Sequence, residues 1–435
     1  KFRKGTGMAG FIDQINELRD WAGAEVKAQL VQEWMDKMWA DGVSAMADIS
    51  NDDSSFKVKK AHNMYTRTFL EVFGSEPEMC EGVMADVTAL KQTADEVGID
   101  AAPTPHSCYT MSPQLLSASA AAGLESGWLS YHSQESQEEE DLLLTGTGAM
   151  YENRKRSGMS TPPVTGESSL KYFITRLAAN VNPPYDQHIL LVHNVCLQQG
   201  DIDAAKAVMN NVYWAICPLS NIFIHNALPP VELMRRNNLN ITVGTDSLSS
   251  NDDLSMIKEI ACIRDNFPEV PMVELFRWAC LNGARFLGKE NELGRLVSGL
   301  KPGIVLVTEI DADGYVTKES RSKRIILGCN SSVIPNDGSV EIIGEAAFAN
   351  CYTIQTIILP KSVIELEYAA FDNCPNLKQV YITSSASEDK KIVNFDAEFV
   401  FDYDAERIFY LPNAETLEIY SKIFGSYTIF EIGIA

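Results

Sequence analysis

The chain has 435 residues, of which 45% are hydrophobic and 22% charged, which is typical of two or three globular domains and excludes a disordered or collagen-like protein. The formal net charge of −23 disfavours nucleic acid and anionic membranes as partners, because both are themselves negatively charged. Nine cysteines without a Cys-x-x-Cys pair indicate reduced thiols rather than a disulfide framework or a thiolate zinc site.

The sequence also bears on where the protein resides. No stretch approaches the roughly 18 uninterrupted apolar residues of a membrane helix, and residues 1–20 lack the apolar centre of a signal peptide. We therefore expect a cytoplasmic protein with no membrane partner. Because the sequence starts at Lys1 rather than at a methionine, we also expect that a segment upstream has been removed.

From residue 11 to residue 326, amphipathic helical segments alternate with short apolar runs. Apolar residues at three- and four-residue spacing predict helices over 24–40 and 114–126. The strands predicted from β-branched and aliphatic runs are 43–50, 188–195 and 240–247. This alternation is typical of βα units around a parallel sheet, where polar residues at the carboxyl ends of the strands carry the chemistry.

A 23-residue repeat follows this region. The matched positions are Val340 with Val363, Ile343 with Leu366, Ala347-Phe348 with Ala370-Phe371, Asn350-Cys351 with Asn373-Cys374, and Ile354 with Leu377. The unit resembles the BspA-like type of leucine-rich repeat, and residues 409–423 resemble the closing unit of that family. Such repeats bury one another's apolar faces by stacking. We therefore predict two domains, residues 1–326 and 327–435.

Four side chains near the ends of predicted strands can bind a metal ion or move protons: His132, Glu135, His193 and Asp246. His106 is a further candidate, in a rigid loop between Pro105 and Pro113. His132 and Glu135 are three residues apart, so they can face one site as ligand and proton carrier, although a solvated loop explains the pair equally well. His193 is either a site residue or a buried core histidine. Asp246 is either a buried ligand or a helix cap. His106 either faces a pocket or packs against its neighbours.

The order of the surrounding motifs resembles the amidohydrolase superfamily, in its branch of cytosine deaminase-like and chlorohydrolase-like enzymes. PHSCYTMSP (105–113) resembles that branch's P-H-A-P-Y-S-x-S-P segment, and SYHSQES (130–136) resembles its S-x-H-x-x-E-S strand end. LVHN (191–194) and GTDSLSSN (244–251) resemble its L-x-H-N and G-T-D-S-x-A-S-N strand ends. The resemblance implies a metal-dependent hydrolase that acts on carbon–nitrogen bonds other than peptide bonds in a small-molecule substrate.

The resemblance also implies a role for each residue. His132 would be a metal ligand, and Asp246 would be a second ligand that also deprotonates the attacking water. Glu135 would move protons, His193 would polarise the substituent of the reacting carbon, and His106 would contact the substrate. The implied ion is Zn²⁺, or another divalent ion such as Fe²⁺ or Mn²⁺.

One part of the family pattern is missing, because the sequence contains no His-x-His pair. In the family this pair ends the first barrel strand and supplies two metal ligands. The implied fold is therefore α/β, with a (β/α)8 TIM-like barrel that lacks its first strand and most of a small β-sandwich, followed by a leucine-rich-repeat β/α solenoid. We expect weak metal binding with only His132 and Asp246 as ligands. The repeats or a second copy of the chain would cover the open barrel edge.

Three interpretations stay open at this point. The first is the deaminase-like hydrolase, the second is a non-catalytic binding or adhesion protein that uses the repeats to recognise a protein partner, and the third is an accidental fusion of two unrelated halves. Substrate identity would be set by the segment 137–170, which we expect to lie over the mouth of the barrel. Its acidic residues 138–141 predict a solvated helix start.

Overall fold

The fold is described from a computed structural model of the chain. The residues that it describes are 2–18, 24–297, 302–325, 332–333, 342–344, 347–349, 351, 354–383, 400–401, 407–424 and 429–432. Val340 and Asn350 of the predicted repeat lie outside these residues. The chain divides into two compact units, Lys1–Arg324 and Ile325–Ala435, whereas the sequence analysis places the domain boundary after residue 326.

The first unit alternates helices and strands. Its described helices are α1 (Gly7–Leu18), α2 (Ala24–Ala40), α3 (Phe56–Ala61), α4 (Cys80–Val97), α5 (Pro113–Glu125), α6 (Gln137–Leu144), α7 (Ala149–Arg156), α8 (Ser169–Ala178), α9 (Gln199–Val208), α10 (Pro218–His225), α11 (Val231–Arg236), α12 (Met256–Asn266), α13 (Met272–Phe276) and α14 (Gly283–Phe286). Its described strands are β1 (Ala45–Ser50), β2 (Tyr65–Val72), β3 (Asp100–Pro105), β4 (Trp128–Ser133), β5 (Tyr185–His193), β6 (Met209–Ile216), β7 (Asn240–Val243) and β8 (Ile304–Thr308), with β9 (Arg321–Ile325) pairing with β8.

Seven of these strands form two parallel ladders, β1-β2-β3 and β4-β5-β6-β7. Successive residues of a strand point to opposite faces, and β5 has apolar side chains on both. Leu190 and Val192 pack with Phe69 on one face, and Ile189 and Leu191 join the large core cluster on the other. Apolar residues on both faces are typical of parallel strands covered by helices.

The two ladders adjoin at β3 and β4 without a continuous ladder between them. The Thr104 hydroxyl donates to the Ser130 carbonyl at 2.6 Å, and the His132 backbone N–H donates to the His106 carbonyl at 2.9 Å. At the other end of the array, no pairing joins β7 to β1 among the described residues. Residues of both strands instead line a cavity of about 1220 Å³. The barrel that the sequence implies is therefore seen as an arc of parallel strands.

The second unit is built from short parallel strands. Its described elements are β10 (Ser332–Val333), β11 (Ile342–Ile343), β12 (Thr356–Leu359), β13 (Glu365–Leu366), β14 (Gln379–Ile382), β15 (Ile408–Leu411), α15 (Ala414–Phe424) and β16 (Ile429–Ile432). Thr356 pairs with Gln379, and Ile342 pairs with Glu365. Each pair is one sequence repeat apart, so adjacent repeats align strand on strand.

The apolar positions of the repeat form the core of this unit. Phe371 is fully buried, and its ring stacks on Phe348 and on Phe401 with centroids 5.0 Å apart in both cases. The repeated cysteine Cys374 is buried in the same cluster. In the part of the chain that the structure describes, no helix is both long enough and apolar enough to cross a membrane.

Candidate active site

The five predicted site residues lie at or just beyond the carboxyl ends of parallel strands. His106 directly follows β3, His132 lies within β4, and Glu135 comes two residues after that strand. His193 is the last residue of β5, and Asp246 lies three residues after β7. Because the carboxyl ends of parallel barrel strands open onto one mouth, this placement gives the five side chains access to the same end of the array.

The backbone turns sharply at these strand ends. Gln134, His193 and Asp246 have positive φ values of 51°, 76° and 55°, which are uncommon for residues with a Cβ and cost about 1 kcal/mol or more each. The turn after β4 is held by Glu139, whose carboxylate accepts from the backbone N–H groups of Gln134 at 3.1 Å and Glu135 at 2.8 Å. This side chain thereby sets where Glu135 points.

Glu135, His193 and Asp246 form a compact group. One ligand atom of each lies within 4.8 Å of the others, and Nε2 of His193 is 3.5 Å from Oε1 of Glu135. Glu135 and His193 are buried. Three polar side chains from three different strand ends therefore meet at one place, where the burial of Glu135 and His193 makes charge interactions stronger than in solvent.

Hydrogen bonds from helix α10 and from the segment after β7 orient the Asp246 carboxylate. The hydroxyls of Ser220 and Ser250 donate to Oδ2 at 2.6 and 2.7 Å, and the backbone N–H of Ser247 donates to Oδ1 at 2.7 Å. Burial acts to raise the pKa of Asp246, but His193 and the two serine hydroxyls outweigh it and lower that pKa. Asp246 is therefore held as a carboxylate.

For the two neighbours of this carboxylate, Glu135 and His193, burial is the dominant influence on the pKa and favours the uncharged form. It raises the pKa of Glu135 well above its usual value, with Asp246 and Glu139 adding to the effect, and so favours the protonated acid. It lowers the pKa of His193, which favours the neutral imidazole. Neighbouring acid and base groups whose pKa values are pushed apart are typical of sites that transfer protons.

His106 and His132 form a second group with Glu71 near the end of β2, again with ligand atoms within 4.8 Å. The imidazole rings of His106 and His132 are 4.6 Å apart, and those of His132 and His193 are 5.4 Å apart. His132 therefore lies between the two groups. The sequence analysis missed Glu71, for which the signal is a lone carboxylate in the apolar run TFLEVF (68–73).

Three buried carboxylates near the site were also missed or misjudged from sequence. The expectation of a solvated helix start over 138–141 is wrong, because Glu139 and Glu140 are buried. Helix α6 does begin in this region, at Gln137. Glu259 is fully buried in α12 and accepts from the Leu219 backbone N–H at 3.0 Å and the Asn251 amide at 2.7 Å. It thereby links the loops after β6 and β7 that hold Asp246.

The donor atoms of these groups fit a divalent metal ion. Imidazole nitrogens and carboxylate oxygens are ligands that Zn²⁺, Fe²⁺ and Mn²⁺ accept. The neutral form of His193 favoured by burial and the ionised Asp246 are the protonation states that metal binding requires. Among the described residues, neither three-residue group contains both His132 and Asp246, so their convergence on one ion stays a prediction.

Comparisons with known proteins agree with this architecture. The model of the amidohydrolase family matches residues 8–328, and the BspA type leucine rich repeat region (6 copies) matches residues 326–428. A 5-methylthioadenosine/S-adenosylhomocysteine deaminase of Moorella thermoacetica is 35% identical over 129 residues, covering 28% of this chain and 30% of that protein. An adenosine deaminase of Helicobacter pylori is 27% identical over 247 residues, covering 56% and 58%. The chain thus spans less than two thirds of either relative.

Solved structures share the fold of the first unit. The aminofutalosine deaminase of Helicobacter pylori superposes with a TM-score of 0.57 at 22% identity, over 69% of this chain and 73% of that one. A zinc-bound adenosine deaminase from Xanthomonas campestris superposes with a TM-score of 0.55 at 19% identity, over 69% and 66%. Because the family model covers most of the chain and the strand-end motifs lie where that fold places its chemistry, the chain belongs to the amidohydrolase family.

Proposed function

We propose that the protein is a metal-dependent hydrolase of carbon–nitrogen bonds other than peptide bonds, which removes an amino group from the purine ring of an adenosine-type nucleoside. The observation that carries the proposal is the compact group of Glu135, His193 and Asp246 at the ends of three strands, in which Glu135 and His193 are buried. The names of the similar deaminases from Moorella thermoacetica and Helicobacter pylori support the choice of a purine nucleoside.

His132 and Asp246 are the proposed metal ligands. A bound divalent ion would supply a water molecule of lowered pKa at neutral pH and would polarise the carbon under attack. Zn²⁺ is the proposed ion, with Fe²⁺ or Mn²⁺ as alternatives that the same donors accept.

The protein's own groups handle the protons. Asp246 is held ionised by the hydrogen bonds from Ser220 and Ser250, so it accepts a proton from the attacking water. Glu135 keeps its proton because it is buried and delivers it to the nitrogen that leaves. The balance is one water consumed, a carbon–oxygen bond formed, a carbon–nitrogen bond broken and one ammonia released.

The remaining two residues position the substrate in this proposal. Asn221 lies 3.2 Å from Nδ1 of His193, which fixes the ring so that Nε2 faces Glu135 and the reacting carbon. The Nδ1 atom of His106 lies 2.8 Å from the Thr110 hydroxyl and 2.9 Å from the Ser107 hydroxyl. Its Nε2 atom is thereby left to contact substrate.

The proposal is tested by metal content and ammonia release. We expect the purified chain to take up about one Zn²⁺ or Co²⁺ and to release ammonia from adenosine, 5′-deoxyadenosine or 5-methylthioadenosine. Asp246→Asn and His132→Ala should each lower the metal affinity at least tenfold and kcat/KM at least a hundredfold. The exposed Glu232→Gln is the control. Full activity in both site variants, or no metal uptake by the wild type, would overturn the proposal.

A further inference from the structure

Glu71 has no role in the mechanism proposed above, yet its carboxylate lies at the mouth of the site. The preceding residue on the same face of β2, Phe69, packs in the interior cluster with Val192 and Tyr213. Because side chains two residues apart share a face of a strand, Glu71 is one level further toward the strand ends than that cluster. It lies beside His106 and His132.

The two carboxylate oxygens of Glu71 have different surroundings. Oε2 accepts a hydrogen bond of 2.9 Å from the Asn51 amide, which fixes the orientation of the group. Oε1 is 3.7 Å from Nε2 of His106 and 3.9 Å from Nδ1 of His132, both beyond hydrogen-bond length. His132 Nδ1 has a nearer neighbour, the His106 carbonyl oxygen at 3.2 Å. Oε1 is thus held in place by the hydrogen bond to Oε2 and can accept a hydrogen bond from another group.

The negative charge of Glu71 is also not neutralised by a protein cation. Its ion-pair neighbours within the described residues are His106 and His132, and no lysine or arginine there pairs with it. Only 11% of the Glu71 side chain is exposed, and a carboxylate in such a place needs a hydrogen-bond donor.

The position of Glu71 separates it from the reacting group. The rings of His106, His132 and His193 follow one another at 4.6 and 5.4 Å, and Glu71 lies at the His106 end of this row while Glu135 lies at the His193 end. A substrate that reacts at Glu135 therefore presents a different part of its structure to Glu71.

We propose that Glu71 is a specificity-determining residue, whose Oε1 accepts a hydrogen bond from a hydroxyl group of the substrate remote from the reacting carbon and repels substrates that carry an anionic group there. An ionised carboxylate only accepts hydrogen bonds, so its partner must be a donor. A phosphate or carboxylate at the same place would meet an uncompensated like charge. This inference rests on the proposed function and names a property of the same site.

The test compares nucleosides that differ by one group. Wild type, Glu71→Gln and Glu71→Leu are assayed with adenosine, its 2′-, 3′- and 5′-deoxy forms and its 2′-, 3′- and 5′-monophosphates. For the deoxy form that lacks the contacted hydroxyl, we expect the wild type to lose at least tenfold in kcat/KM relative to adenosine, and Glu71→Leu to abolish that difference. Glu71→Gln should raise the phosphate-to-adenosine ratio at least tenfold at the corresponding position. The exposed Glu78→Gln is the matched control.

A binding measurement keeps the inference separate from turnover. Calorimetric titration with inosine and the three deoxyinosines reports the same hydroxyl preference without any deamination. Deamination or binding with the same ligand ratios in wild type and both Glu71 variants would overturn the role of Glu71. Normal inosine binding without ammonia release from any nucleoside would instead overturn the proposed function. Neither inosine binding nor ammonia release by the wild type would overturn both.

Discussion

Buried carboxylates hold the backbone around the candidate site as well as setting its charge. Glu139 shows how one side chain can act on both backbone and charge, since it holds the turn that carries Glu135 through two N–H groups. Burial, followed by the charge of Glu140, raises the pKa of Glu139 to about 7. Burial and the charge of Glu140 therefore destabilise the ionised form of Glu139 by more than its hydrogen bonds stabilise it.

This raised pKa predicts a pH dependence of stability. In the unfolded chain a glutamate titrates near 4.3, so between about pH 5 and pH 7 the folded state retains a proton that the unfolded state releases. The free energy of unfolding therefore falls as pH rises through this window. We expect Glu139→Gln to remove a decrease on the order of 2–3 kcal/mol between pH 5 and pH 8, as measured by urea unfolding.

The matched control for this prediction is the exposed Glu81→Gln, which should keep the pH slope of the wild type. The prediction concerns the difference between wild type and Glu139→Gln, because carboxylates that do not interact with Glu139 contribute equally to both. Parallel pH profiles for these two proteins would contradict it. They would mean that Glu139 titrates as an ordinary glutamate.

At the scale of elements, the first helix is fastened directly to the helix that follows the site strand. The backbone N–H of Ala9 in α1 donates to Oε2 of Glu138 in α6 at 2.8 Å, and the Asn153 amide in α7 donates to the side chain of Asp13 at 2.8 Å. Met8 is buried in the main core cluster. The N-terminal helix is therefore part of the packing around α6 and α7.

We predict that Gly7→Ala loosens this attachment. Gly7 has φ +69°, and a Cβ there would overlap Oε1 of Glu138, so both backbone strain and steric contact oppose the substitution. The free energy of unfolding should fall by about 1–2 kcal/mol, with faster amide hydrogen exchange in residues 8–18. Gly82→Ala in α4, where a Cβ meets nothing within 4 Å, should be neutral or stabilising. Equal effects of the two changes would contradict this reasoning.

At the scale of the whole molecule, the two units have separate apolar cores. The main cluster of the first unit draws on residues before 317, and the cluster of the second unit runs from Ile343 to Tyr420. Because cooperative unfolding follows contiguous cores, we expect two calorimetric transitions rather than one.

We predict that Phe371→Ala acts on the second transition alone. Phe371 is fully buried between two stacked rings, and truncating such a side chain costs about 3–5 kcal/mol. The transition of the repeat unit should fall by at least about 10 °C, while ammonia release and the other transition stay unchanged. Tyr368→Ala, which removes an aromatic ring that is 61% exposed, should shift neither transition by more than a few degrees. A single transition that moves as a whole would show that the units unfold together.

Much of this organisation was predictable from the sequence by itself. Helix 24–40 occurs with the predicted bounds, helix 114–126 is displaced by one residue, and the strand predicted over 43–50 runs from Ala45 to Ser50. Membership of the amidohydrolase family and the BspA-like repeat were also predicted and are confirmed. The strand predicted over 240–247 ends at Val243, and the positive φ of Asp246 turns the backbone away shortly after it. Hydrophobic periodicity and the order of motifs are properties of the sequence itself, so they can be recognised without the tertiary structure.

Only the tertiary structure decided which of these residues meet. It placed Glu135, His193 and Asp246 in one compact group, brought Glu71 to His106 and His132, and buried Glu139 where the sequence pointed to solvent. It also left β7 and β1 unpaired among the described residues. Distances between strand ends and the loss of solvent around a carboxylate depend on packing between segments far apart in the chain. No local pattern contains that information, since burial and charge interactions arise only when the strands assemble.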